Sequence, residues 1–148
     1  IQSPYLLPTE PILLALKTAA AAGVDVRIMI PAKSDSRMVH WGTMSYLQEL
    51  MEAGIKIYMY QKGFLHSKLF VCDDYLSSIG STNMDFRSFE HNFEVNAFMY
   101  DKTSALMLKD IFLSDQKDAK LLHLKEWRMR PWSQKVKESV IRLFAPLL

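Results

Sequence analysis

The chain is poor in the residues that cross-link a small protein or leave it unfolded. It has one cysteine, Cys72, so it can form no internal disulfide and carries no cysteine-based metal framework. Five glycines and six prolines in 148 residues are too few for a fibrous or disordered chain. No apolar run approaches the roughly 18 residues of a membrane-spanning helix. With 49% hydrophobic residues, the sequence predicts one compact domain with a buried core.

Two common catalytic devices are also missing from the sequence. It has no glycine-rich loop that ends in Lys-Ser or Lys-Thr, which would cradle a nucleoside triphosphate. It has no closely spaced set of His, Cys and carboxylate ligands for zinc. Any phosphate chemistry in this chain is therefore predicted to need no nucleoside triphosphate, no metal and no other cofactor.

Charge is unevenly distributed along the chain. Residues 117–148 carry eight Lys or Arg against three Asp or Glu, whereas residues 1–116 carry ten against thirteen. Such a basic end suits an anionic membrane surface or nucleic acid, and equally a solvated helix face. Tryptophans among these basic residues favour an interface of anionic headgroups.

Hydrophobic spacing predicts alternating helices and strands. Helical stripes cover residues 9–22, 38–53, 101–114, 121–132 and 133–144, and strands are expected at 24–30, 55–60, 65–73, 75–79 and 93–100. The β-α-β order predicts an α/β fold with parallel strands. Residues 1–5 have the pattern of the end of a strand that starts upstream, which suggests a piece of a longer protein.

One stretch, residues 64–83, concentrates the polar residues that suit catalysis. It contains His66-x-Lys68, then Asp73, then Gly80-Ser81-x-Asn83. On a strand, side chains two residues apart project from one face, so His66 and Lys68 are expected to point the same way. An imidazole can act as nucleophile or proton donor, and a lysine can hold the charge of a phosphate during displacement.

Each of these residues has an ordinary structural explanation when taken alone. Lys68 could protect a strand edge, Asp73 could begin the turn, and Ser81 and Asn83 could cap a helix. Their joint spacing favours a phosphate site, in which Ser81 and Asn83 donate hydrogen bonds to phosphate oxygens. The position of Asp73 favours a structural role in the turn.

This spacing resembles the H-x-K-x4-D-x6-G-S-x-N motif of the phospholipase D superfamily. Further blocks, such as S-P-Y-L-L-P-T-E-P, R-S-F-E-H-N-F-E-V-N-A and R-L-F-A-P-L-L, resemble the C-terminal half of bacterial cardiolipin synthases. The resemblance implies an α/β/α sandwich with a mixed central sheet. It places His66, Lys68 and Asp73 in the catalytic motif, assigns phosphate binding to Lys68, Ser81 and Asn83, and has Glu94 orient the catalytic histidine.

The resemblance also implies a reaction: two phosphatidylglycerol molecules give cardiolipin and glycerol through a phosphohistidine. Family enzymes carry two H-x-K motifs, and this chain has one, because His123-Leu124-Lys125 lacks the aspartate that should follow. The chain is therefore expected to supply half an active site and to pair with an N-terminal half or with a second copy. Whether His66 is the nucleophile or the general acid and base stays open.

These implications define the expected setting and the alternatives. Residues 1–148 are expected to be the second, C-terminal phospholipase D-like domain of an enzyme of the bacterial cytoplasmic membrane, with a basic helical extension at about 117–148 and membrane spans elsewhere. The fragment itself is expected to be soluble or peripheral, with no nucleic-acid partner. A homodimeric phosphodiesterase or nuclease, and a non-catalytic scaffold, are the alternatives.

Overall fold

The computed structural model describes residues 1–147, in which eight short strands alternate with helices. The strands are β1 (Leu6–Leu7), β2 (Arg27–Pro31), β3 (Lys56–Tyr60), β4 (Leu69–Cys72), β5 (Leu76–Gly80), β6 (Met84–Asp85), β7 (Asn96–Tyr100) and β8 (Ala119–Leu121). The helices are α1 (Glu10–Ala21), α2 (Arg37–Glu52), α3 (Phe86–Glu90), α4 (Lys102–Gln116), α5 (Leu124–Arg128) and α6 (Trp132–Arg142), followed by a 3₁₀ turn (Ala145–Leu147).

The central sheet is mixed, and its two halves meet at the first residues of the chain. One half has the order β2-β3-β8 and the other β4-β5-β7. Gln2 pairs in parallel with Met29 of β2 and antiparallel with Leu69 of β4. Residues 1–3 therefore occupy the place of a strand between β2 and β4. The strands β1 and β6 form a separate parallel pair.

Alternation along the inner strands divides the core between the two faces of the sheet. Ile28, Ile30 and Ile57 face one cluster, which includes residues of α1 and α2, whereas Met29 and Tyr58 face the other, which includes residues of α4. Helices thus cover both faces of a mixed sheet, and the predicted α/β/α sandwich is confirmed.

Element boundaries differ most where the chain enters the site. The motif strand begins at Leu69 rather than at residue 65, and the last bond of its ladder with β5 runs from Gly80 N–H to the Lys68 carbonyl (3.4 Å). The final long strand begins at Asn96 rather than at residue 93. His66 and Glu94 consequently lie on the segments that lead into β4 and β7, where no neighbouring strand fixes their backbone.

The basic C-terminal region is packed onto the domain rather than appended to it. β8 pairs with β3, the Trp127 side chain is buried, and α6 packs against α2. Three of its eight cations form ion pairs within the molecule: Arg130 with Glu138 (2.6 Å), Arg142 with Glu49 (2.8 Å) and Arg128 with Glu52 (2.7 Å). The charge count therefore overstated the free positive charge of this region. Within residues 1–147, no helix has the length and apolar character needed to cross a bilayer.

Candidate active site

His66 and Lys68 flank a residue that is tied into the interior of the domain. Between them, Ser67 Oγ donates to Gln2 Oε1 (2.8 Å), and Gln2 Nε2 in turn donates to Asp115 Oδ2 of α4 (2.8 Å). Gln2 is fully buried. These bonds hold the segment that precedes β4 against the interior of the domain. The His66 ring is exposed, and its centroid lies 5.3 Å from that of the Phe64 ring.

The Lys68 ammonium lies among opposing electrostatic influences. Its Nζ donates to the backbone carbonyl of His66 (2.8 Å), which fixes the relative position of the two motif residues. Burial lowers the pKa of Lys68, and the negative charges of Glu94, Asp85 and Asp35 act in the opposite direction. A partly desolvated cation beside an imidazole suits the binding of a phosphate. The negative charge of a bound phosphate would stabilise the ammonium, as the carboxylates do in the free site.

The motif glycine is required by the close approach of two strands. Gly80 pairs with Asn96 across the β5–β7 ladder. A Cβ atom at Gly80 would lie 2.0 Å from Asn96 Oδ1 and 2.2 Å from the Val95 carbonyl oxygen. Because backbone atoms cannot yield to such a contact, only glycine fits, and the chain can then turn sharply into Ser81.

Glu94 is the centre of a polar network at the end of β5. Its carboxylate accepts hydrogen bonds from Ser81 Oγ, Ser88 Oγ (2.9 Å) and Asn92 Nδ2 (3.3 Å). Chiefly the bond from Ser81 holds the pKa of Glu94 below its usual value. The carboxylate therefore stays ionised at neutral pH.

Asn83 is held at the edge of the same network. Its backbone N–H donates to Ser88 Oγ (3.2 Å), and its side-chain oxygen is buried without a hydrogen-bond partner in residues 1–147. An unpaired buried acceptor is costly, and it is commonly found where a donor from a ligand or water completes the site. Ser88 thus connects Asn83 to Glu94.

The structure brings together Lys68, Ser81, Asn83 and Glu94, with His66 next to Lys68. It shows no hydrogen bond between Glu94 and His66 within residues 1–147, so the expected orienting role of Glu94 toward that imidazole stays a prediction. In the same part of the chain, no three His, Cys, Asp or Glu side chains are grouped to hold a metal ion.

Asp73 is not brought to His66. It lies in the turn at the far end of β4, five residues beyond Lys68, a distance of roughly 16 Å along an extended strand. Asp73 and Asp74 both adopt left-handed backbone conformations, with φ of 51° and 56°. These angles are those of a tight hairpin turn, in which Asp is one of the few side-chain-bearing residues tolerated. Asp74 Oδ1 accepts from Lys109 Nζ of α4 (2.6 Å).

Sequence reasoning missed three contributors to the site. Ser88 and Gln2 carry hydrogen bonds across long sequence separations, and neither has a spacing signal. Tyr5 donates from Oη to Asp35 (2.8 Å), whose charge acts on Lys68. Burial, followed by the bond to Asp35, raises the pKa of Tyr5 to about 12. For Tyr5 the available signal was its place in the block S-P-Y-L-L-P-T-E-P.

The family model described as "Cardiolipin synthase, PLD-like domain" matches residues 1–116. The chain belongs to this family of phospholipase D-like domains. Curated relatives agree over all 148 residues. They include cardiolipin synthase 1 of Staphylococcus epidermidis strain RP62A, 50% identical, and a cardiolipin synthase of Geobacillus sp. strain WCH70, 52% identical. The chain spans about 30% of the length of each of these two relatives.

Solved structures show the same phospholipase D-like fold. Phosphatidylserine synthase of Haemophilus influenzae matches 100% of this chain over 41% of its own, with a TM-score of 0.76 and 17% identity. Nuc of Salmonella typhimurium, a phospholipase D family member, matches 82% of this chain over 79% of its own, with a TM-score of 0.69 and 21% identity. At such identities the likeness establishes the fold alone.

Proposed function

We propose that this chain forms one half of the active site of a cardiolipin synthase. The complete enzyme transfers the phosphatidyl group of one phosphatidylglycerol to the glycerol hydroxyl of a second and releases glycerol. The proposal is supported by the identity to cardiolipin synthases and, above all, by the pairing of His66 and Lys68 beside the Ser81–Glu94–Ser88 network.

The chemistry assigned to these residues is displacement at phosphorus in two steps. In the first, an imidazole nitrogen bonds to phosphorus, the bond from phosphorus to the glycerol oxygen breaks, and a second imidazolium gives that oxygen its proton. In the second step, the imidazole that gave its proton away takes a proton from the hydroxyl of the incoming phosphatidylglycerol. The oxygen of that hydroxyl bonds to phosphorus, and the bond from phosphorus to the other imidazole nitrogen breaks. The protein groups return to their starting state.

Lys68 and Asn83 are assigned to the phosphate oxygens. Charge builds on those oxygens during displacement, and a fixed ammonium and an amide donor stabilise it without reorganisation. For Asn83 the donor is the side-chain NH2 group, and its place three residues after Gly80 in the motif supports this assignment. Ser81 donates to Glu94 in the free site, so it would reach phosphate only by exchanging that bond.

One motif offers one reactive imidazole, and the reaction uses two. We therefore propose that the second comes from another phospholipase D-like domain, as the N-terminal half of the longer enzyme or a second copy of this chain. The exposed His66 ring is compatible with such a partner. Phosphatidylglycerol is anionic, so the complete enzyme is proposed to work at an anionic bilayer.

The test is made on the longer enzyme with phosphatidylglycerol vesicles. His66→Ala and Lys68→Met should each lower cardiolipin formation at least ~1000-fold, since each removes a group that acts in the transition state. His123→Ala is the matched control, because His123 is exposed and has no motif partner. Undiminished synthesis in His66→Ala would overturn the proposal, as would a purified enzyme that hydrolyses nucleic acid and leaves phosphatidylglycerol unchanged.

A labelled phosphatidylglycerol separates the two assignments of His66. Quenching during turnover should trap an acid-labile, base-stable phosphohistidine. Label on the peptide that contains His66 makes it the nucleophile. Label on the other half makes His66 the acid and base.

A further inference from the structure

The β4-β5-β7 half of the sheet carries a row of side chains on the face that points away from α4. Leu69 packs against residues of α4, so alternation along the strand places Lys68 and Phe70 on the opposite face. Phe70, Ser78 and Phe98 are neighbours across the three strands. Phe70 is 37% exposed and Phe98 59%, whereas Ser78 between them is buried. A small residue flanked by two aromatic rings gives this face the shape of a trough.

Helix α1 faces this row with an apolar stripe. Leu13 of the helix is buried in the core, and Ala20 packs against the same core. The stripe has the i, i+3, i+4, i+7 spacing of one helix face and consists of Ile12, Ala15, Leu16 and Ala19. Because two of these residues are alanines, the stripe leaves space between the helix and the sheet. This space, bounded by the stripe and by Phe70, Ser78 and Phe98, is the α1 groove, and its volume is about 450 Å³.

The α1 groove begins at the candidate active site. Lys68, from the motif, is one of its lining residues. The strand β1, just before α1, pairs with β6, just after Asn83. The helix therefore starts at the site end of the groove and runs away from it, so Ala19 lies roughly 10 Å farther along the helix than Ile12.

The lining of the groove combines one cation with apolar walls. Two polar side chains that line it, Thr82 and Asn96, hydrogen-bond to each other. In the part of the chain that the structure describes, Lys68 is the one charged residue in the lining. A positive charge at one end and apolar walls along the rest match an amphiphile with an anionic head.

We propose that the α1 groove holds one acyl chain of the phosphatidylglycerol whose phosphate binds Lys68. This inference rests on the proposed function, which supplies the substrate, and adds where the tail of that substrate lies. A phosphate that reaches Lys68 and an imidazole has left the bilayer surface, and the first carbons of an acyl chain leave with it. Exposing those carbons to water would be unfavourable, and the walls of the groove replace the lipid that surrounded them.

The position of the groove makes α1 a determinant of acyl-chain length. A tryptophan in place of Ala15 would fill the middle of the groove, and one in place of Ala19 would fill its far end, about 6 Å farther along the helix. Short chains should still fit in both variants. Long chains should be excluded from both, and Ala15→Trp should exclude shorter chains than Ala19→Trp does.

The test compares phosphatidylglycerols from dihexanoyl to dipalmitoyl as substrates of the longer enzyme, all presented in the same detergent micelles. In Ala15→Trp, kcat/KM for the dipalmitoyl lipid should fall at least ~10-fold and that for the dihexanoyl lipid should stay within about twofold of wild type. Thr18→Trp is the matched control, because Thr18 is exposed on the same helix and does not line the groove, and it should keep the wild-type profile.

The outcomes separate this inference from the proposed function. Equal loss at all chain lengths in Ala15→Trp, or no loss at any, would overturn the acyl-chain groove and leave the proposed function standing. A wild-type enzyme that makes no cardiolipin at any chain length would overturn the proposed function, and this inference with it.

A photoactivatable lipid tests the groove in the unmodified longer enzyme. Phosphatidylglycerol with a diazirine in the middle of one acyl chain should label the peptide that contains α1, Glu10–Ala21, and unlabelled dioleoyl phosphatidylglycerol should compete with the labelling. Absence of label from this peptide would overturn the inference even if a tryptophan variant failed to fold. That result is expected if another segment of the longer enzyme, rather than lipid, fills the groove.

Discussion

Ser88 Oγ lies 2.9 Å from Glu94 Oε1, and the same hydroxyl accepts the backbone N–H of Asn83 at 3.2 Å. One buried hydroxyl on the short helix α3 thus holds two residues that the motif alone leaves on separate segments. The carboxylate of Glu94 and the backbone of Asn83 are positioned together, although ten residues lie between them in the sequence.

Removing the Ser88 hydroxyl should lower turnover in the longer enzyme. Ser88→Ala deletes a hydrogen bond to a carboxylate, so kcat should fall about tenfold or more. The pKa of Glu94 should rise, which moves the acidic limb of the pH–rate profile to higher pH. Ser139→Ala, at an exposed serine of α6, is the control. A variant with unchanged kcat and pH profile would remove Ser88 from the site.

Glu94 should make stability depend on pH in the acid range. Its pKa in the folded protein is lowered, chiefly by Ser81, so its contribution is complete above its ordinary pKa of about 4.3 and is lost as pH falls through the lower folded value. The melting temperatures of wild type and Glu94→Gln should therefore differ most near neutral pH and converge below about pH 4. A constant difference between pH 3 and 7 would contradict the ionised network.

Asp73→Asn should retain most of the activity of the longer enzyme. Asparagine tolerates the left-handed conformation of this turn, and the side chain lies at the far end of β4 from His66. Turnover within about threefold of wild type is expected, against near-complete loss in His66→Ala. A loss comparable to that of His66→Ala would require Asp73 to act on the substrate.

Gly80→Ala should destabilise the fold strongly. The added Cβ meets backbone atoms of β7, so the free energy of unfolding should fall by about 3 kcal/mol or more. Gly54→Ala is the matched control, because Gly54 has φ of 90° but open space around a Cβ; its strain should cost only about 1 kcal/mol. Chemical denaturation measures both, and equal losses would mean that crowding at Gly80 is relieved by strand movement.

Glu138→Gln should destabilise the domain without touching the site. Glu138 is buried and bonds both terminal nitrogens of Arg130 (2.6 and 3.0 Å), whose guanidinium stacks 3.4 Å from the Trp127 ring centroid. An uncompensated buried cation costs about 3 kcal/mol. The double variant Arg130→Met, Glu138→Leu should recover part of the loss in a denaturant titration. No loss in Glu138→Gln would mean that Arg130 is hydrated rather than held by its partner.

The sequence predicted the helices and strands whose hydrophobic spacing matches the face that they bury in the fold. The helices at α1, α2 and α4 appear within two residues of their predicted bounds, and Asp101 caps α4 by accepting Ser104 N–H (2.8 Å) as the pattern indicates. The short strand β8 was missed, because three residues with the letters A-K-L carry no periodic signal and depend on pairing with β3.

The site was predictable only as far as the motif reaches. Spacing predicts His66, Lys68 and Asn83 as site residues, but it cannot predict that Gln2 bonds to Ser67 and Asp115, 65 and 113 residues away. The ion pairs of the basic C-terminal region could not be predicted for the same reason, since Arg142 bonds to Glu49 at a separation of 93 residues. Charge counts cannot show such pairings, because they are created by the packing of α6 on α2.

The crowding at Gly80 gives the motif two kinds of requirement, one structural at Gly80 and one chemical at His66 and Lys68. On the proposed function, His66 and Lys68 are needed for the reaction, whereas Gly80 is needed for β5 and β7 to pair. A protein with this fold that no longer catalyses the reaction is therefore expected to keep the glycine, whereas its histidine is free to change.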